Sequence, residues 1–184
     1  PRVLVLQAFG PLLGDDFGEA VHFSGLRIEM NKPYYVAVAV RYAEKNGPGE
    51  VTFSLKDLAN DDEPLLHDRV TTRLTGVRTA TQTIQLGGKG TDAESSFHGV
   101  LDDLRFSAGP LNDQALLYAN EDRRPDTLGF WRFENKSGTL SDSSGKGRDL
   151  AVGAVATPSA KGGATPLAAL CHALLNSSEF LYVE

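Results

Sequence analysis

Hydrophobic and polar residues alternate along this chain with period two over most of its length, the signature of strands with one face toward a core. Arg2–Phe9 (RVLVLQAF) is apolar on both faces and reads as a central strand ended by Gly10-Pro11. A loop over Leu12–Ala20 carries Asp15 and Asp16, and Val21–Met30 is a weaker strand interrupted by Gly25. Tyr34–Tyr42 places Tyr34, Val36, Val38, Val40 and Tyr42 on one face. Glu50–Leu58 directs Val51, Phe53 and Leu55 inward, and the turn-forming run Glu44–Gly49 joins the two into a hairpin. Ala59–Arg69, with Asp61-Asp62-Glu63, reads as a polar loop; Val70–Leu74 and Thr81–Leu86 are shorter strands.

Phe97–Ser107 (FHGVLDDLRFS) reads as one strand through the middle of a sandwich, with Val100, Asp102, Leu104 and Phe106 on a single face. Asp102 is therefore expected in the core, where a carboxylate has to be hydrogen-bonded, paired or metal-bound. A turn at Pro110–Asp113 leads into a short helix, Gln114–Asn120, with Leu116 and Leu117 packing back on the sheet. Leu128–Asn135 is a strand burying Trp131 and Phe133, Asp142–Gly147 (DSSGKG) is a turn, and Leu150–Ala156 is a last strand. Strands at this spacing predict an all-β antiparallel sandwich or jelly roll over residues 1–156. A small-residue linker occupies 157–165. Beyond it, residues 166–184 form a helical tail in which Leu167, Leu170, Cys171, Leu174 and Leu175 make one apolar stripe. That tail and the apolar end Phe180–Val183 need a partner to cover them.

Composition narrows the function classes. Hydrophobic residues at 41% and charged residues at 23% argue for a folded domain, and 184 residues are enough for one core. No apolar run approaches the roughly 18 residues of a membrane-spanning helix. Acidic residues outnumber basic ones 24 to 18, and no basic run exceeds two residues, so a nucleic-acid partner is not expected. Cys171 alone excludes an intrachain disulfide and a cysteine-based structural zinc site. The chain enters a strand directly after Pro1, as a piece of a longer protein would.

Catalytic patterns are missing from the sequence. Cys171-His172 has Ala168 where haem attachment requires a first cysteine, and no strand carries the alternating carboxylates of a jelly-roll glucanase. The histidines at 22, 67, 98 and 172 lie in unrelated contexts without a nucleophile elbow. Gly87–Gly90 lacks the lysine spacing of a phosphate loop. One metal reading has chemical content: Asp142 and the carbonyls of its turn, with Asp102 or Asp103, as oxygen ligands for calcium. The competing use is an Asx-type cap at Asp142 and a backbone acceptor at Asp102. As sugar-stacking candidates, Tyr34, Tyr42 and Trp131 fall with the core residues, leaving Tyr35 solitary and outward.

The order Lys32–Val40, Glu50–Leu58, IQLGGKG at Ile84–Gly90 and FHGVLDDLRFSAGPLNDQALL at Phe97–Leu117 resembles the second half of a laminin-G-like, concanavalin-type jelly roll. GFWRFENKSGTLSDSSGKGRDL at Gly129–Leu150 is similar to the stretch that usually opens such a domain, here displaced to follow the rest. PLAALCHALLNSSEFLYVE at Pro166–Glu184 resembles the C-terminal end of planctomycete-type proteins that join a cytochrome-c-like region to domains of unknown function and an inserted laminin-G-like module. The resemblance implies that the first strands of the jelly roll and the haem-bearing region lie upstream of Pro1. It also implies an extracytoplasmic, envelope location, other domains of the parent protein as partners, and calcium on a loop. The expected function is a non-catalytic accessory module, for interdomain packing or for a glycan or protein ligand. The alternatives are a jelly-roll polysaccharide hydrolase or lyase, and a structural part of a haem-containing redox protein.

Overall fold

The computed structural model describes residues 2–14, 16–76, 86, 99–134 and 139–151. The strand expected at Thr81–Leu86, the linker at 157–165 and the tail helix of residues 166–184 lie outside the described residues, apart from Leu86 itself. What is described is all-β, built from antiparallel strands in four small sheets. Strands β1 (Arg2–Pro11) and β2 (Phe17–Ile28) form one hairpin; β3 (Tyr34–Arg41), β4 (Gly49–Asp57) and β5 (Leu66–Thr72) form a three-stranded meander. β6 (Leu104–Ser107) pairs with β7 (Thr127–Trp131), and β8 (Thr139–Leu140) with β9 (Leu150–Ala151).

The expected hairpin forms in register, Val36 opposite Leu55, Val38 opposite Phe53 and Val40 opposite Val51. Its valine face is core. Leu4 and Leu6 of β1 meet Val51 and Phe53 there, with Val36, Val38, Val40, Val70, Leu26 and Ile28 packed around them, so the first two sheets bury one shared apolar layer in sandwich fashion. A smaller cluster, Ala8 and Leu74 with Leu12, Ala20 and Tyr42, closes one end. Gly49 allows the turn between β3 and β4, since a Cβ there would lie 2.2 Å from the Arg41 carbonyl oxygen.

Several boundaries differ from the sequence expectation. The loop predicted at Leu12–Ala20 is short, because Gly18 and Ala20 pair with Gly10 and Ala8 and continue β2 almost to the turn. β5 begins at Leu66, inside the expected polar loop, paired with Leu55 of β4. The strand expected over Phe97–Ser107 is only Leu104–Ser107 among the described residues, because Asp103 adopts a left-handed φ of 46° that no ladder accommodates. The alternation is lost at that point, and Val100 is 92% exposed. β7 stops at Trp131 rather than Asn135: Phe133 is also left-handed (φ 54°), and Phe130 joins Trp131 in the core.

The expected helix Gln114–Asn120 is a single 3₁₀ turn, Asp113–Ala115, capped by the Asn112 side chain accepting from Ala115 N. Leu116 then returns to extended backbone, and the Arg105 guanidinium takes the carbonyls of Ala115, Asn120 and Asp122. Leu116 and Leu117 are nonetheless buried, as their apolar side chains require. No described helix is long and apolar enough to cross a membrane.

Candidate functional site

Asp142 sits opposite Trp131 in an isolated bridge and organises the turn that follows it. Its Oδ1 accepts from Phe130 N (3.0 Å) and Ser144 N (2.9 Å), and its Oδ2 from Ser144 Oγ (2.7 Å) and Arg148 N (3.1 Å). Burial would raise the pKa of this carboxyl, but the Ser144 hydroxyl and the three backbone N–H groups outweigh it and hold the pKa below the usual carboxylate value. A carboxylate offers about four lone-pair positions. All four face protein donors, so Asp142 does not fit the calcium expectation; the Asx-type cap is what forms.

Among the described residues no three His, Cys, Asp or Glu side chains gather as metal ligands. Asp102 is exposed rather than in the core, because left-handed Asp103 ends the strand before reaching it, and its Oδ1 accepts from Asp103 N at 3.1 Å. The Asp103 carboxyl is pushed up, first by burial and then by Asp102, Glu121 and Glu134, with Arg132 opposing. Asp102→Ala should therefore shift the unfolding midpoint by no more than about 0.5 kcal/mol, as for other exposed positions. A loss above about 1 kcal/mol in urea unfolding would return Asp102 to the structural core.

On the outer face of the meander the structure joins three residues that the sequence left scattered. Ser54 Oγ lies 3.0 Å from His67 Nδ1, and His67 Nε2 lies 3.2 Å from Asp113. With the proton on Nε2 this chain has the polarity of a hydrolase triad with the ring nitrogens exchanged. Ser54 is buried, however, so no electrophile reaches its Oγ. The chain acts as a clamp that ties the 3₁₀ turn to β4 and β5. Tyr35 belongs to the same contact rather than to solvent: its ring lies 5.1 Å from that of Tyr118, and its hydroxyl accepts from Leu117 N at 3.3 Å. Burial pushes its ionisation up. Trp131, at 2% exposure, is likewise unavailable to a sugar.

The exposed aromatic surface lies elsewhere. Cross-strand pairing puts Val5, Gln7, Phe9 and Pro11 of β1 on one face with Phe23, Val21, Glu19 and Phe17 of β2. Phe9, Phe17 and Phe23 are 50%, 61% and 56% exposed, and Val21 is exposed beside them. Gln7 and Glu19, the polar side chains set among them, hydrogen-bond to each other. The sequence signal for this face was present, Phe9 before the turn and Phe17 and Phe23 after it at same-face spacing, but Phe9 lay in a segment apolar on both faces. Compared with family models, curated proteins and solved structures, the chain has no significant match in any of the three.

Proposed function

We propose that this chain is a non-catalytic accessory module of concanavalin-like jelly-roll type, part of a larger extracytoplasmic protein, and that the outer face of the β1–β2 hairpin packs against an adjoining domain of that protein. One observation carries the reading: three phenylalanines at least half exposed on one sheet face, a concentration of apolar surface that monomeric domains seldom leave open. A protein surface fits better than a glycan. Sugar recognition pairs a stacking ring with polar groups for the hydroxyls, and here Gln7 and Glu19 engage one another instead. Against catalysis stand the burial of Ser54 and the engagement of all four acceptor positions of Asp142 by protein donors.

The test is calorimetric titration of the chain with the neighbouring domain of its parent protein. Phe17→Ser and Phe23→Ser should each weaken that association at least tenfold, about 1.4 kcal/mol, since truncated aromatic anchors at interfaces cost more than 1 kcal/mol. Both side chains are mainly in solvent in the isolated chain, so its unfolding midpoint should hardly move. Unchanged affinity in both variants, or polysaccharide turnover that Asp103→Asn abolishes at unchanged stability, would overturn the proposal.

A further inference from the structure

A cleft of about 280 Å³ lies between the Arg123–Pro125 segment and the Asp142–Gly147 turn, lined by Arg123, Arg124, Pro125, Ser144 and Lys146. We infer that this cleft binds a tetrahedral oxyanion, the sulfate or phosphate ester group of a small molecule. The inference stands apart from the hairpin face and does not depend on it. Three cationic side chains converge here on a chain whose formal net charge is −6. Arg124 is neutralised by Asp126, its Nε 3.1 Å from the carboxylate. Arg123 and Lys146 form no ion pair with any described residue, which leaves their charges available to an anion.

The backbone is shaped to hold those charges in place. Gly145 has φ +76°, which favours glycine, and the Arg123 guanidinium lies over it, within 2.6 Å (Nη2) and 2.9 Å (Cζ and Nη1) of where a Cβ would stand. Ser144 Oγ donates to Asp142 Oδ2 and accepts from Lys146 N at 3.2 Å, which anchors the start of the turn to β7 through Asp142. The Asp142 carboxylate itself faces inward, with its acceptor positions taken, and does not line the cleft. Arginine presents a planar fork suited to two oxygens of such a group, and lysine adds a point charge. The volume lies just below the range of drug-sized ligand sites, about 300 Å³ upward, which suits a small ester carried on no more than a single ring.

The test is titration of the full chain with inorganic sulfate and with inorganic phosphate at constant ionic strength, chloride serving as the control. Saturable binding is expected for both and not for chloride. Glucose 6-sulfate and glucose 6-phosphate, with glucose as reference, then separate the two ester sources; tighter binding of either ester than of glucose supports the site. Arg123→Gln combined with Lys146→Gln should weaken binding at least tenfold at an unchanged melting temperature. Equal responses to chloride and sulfate, or undiminished binding in the double variant, would overturn the inference.

Discussion

Replacing Trp131 with alanine is expected to cost about 3–5 kcal/mol in equilibrium unfolding, the range for a large aromatic side chain removed from a core. Its ring meets Phe106 edge-on at 5.8 Å and 77°, joining β6 to β7 through side chains as well as through the ladder. Its Nε1 donates to the Arg148 carbonyl at 2.8 Å, so the same residue ties the sheet to the far side of the Asp142 turn. Gly129 completes the seat, since a Cβ there would lie 2.5 Å from Trp131 Cη2. Trp131→Phe keeps much of the apolar contact but leaves the Arg148 carbonyl without that donor, and should cost roughly 1–3 kcal/mol. If Trp131→Ala unfolds within 1 kcal/mol of the parent chain in a denaturant titration, the β6–β7 sheet is not packed as described.

Asp142→Ala should cost about 3 kcal/mol. Four donors lose their acceptor at once, and a hydrogen bond to a charged group contributes more than a neutral one, although partial exposure of the turn lowers the total. The pH dependence follows from the direction of the shift. A carboxyl whose folded pKa lies below its unfolded value of about 3.9 stabilises the protein above that value, and the contribution is lost as pH falls through the folded pKa. Wild-type protein should therefore lose more stability than Asp142→Asn when pH is lowered from 7 to below 3. Superimposable stability profiles for the two across that interval would show that the carboxylate charge does not hold the turn.

Both variants also bear on the anion cleft. Ser144 and Lys146 are placed by Asp142, so Asp142→Ala should weaken oxyanion binding together with stability, whereas Arg123→Gln should affect binding alone. That contrast separates a residue that shapes the cleft from one that faces the ligand.

The period-two pattern determined the all-β class and the β3–β4 hairpin with its inward valines, because alternation and turn residues act locally and leave only one register that buries Val38 against Phe53. It also identified the DSSGKG segment as a turn built on Asp142, since an Asx cap needs only the next few residues. Three things were settled by tertiary structure alone. Left-handed backbone at Asp103 and Phe133, neither of them glycine, ended strands that the apolar pattern would have continued, and this moved Asp102 from core to solvent. The assembly of Ser54, His67 and Asp113, like that of Arg123 with Lys146, brings together residues more than ten positions apart, and no local pattern encodes such proximity. Exposure of the β1–β2 face was equally illegible: a strand apolar on both sides looks the same in sequence whether a second layer covers its outer face within the chain or the covering surface must come from elsewhere.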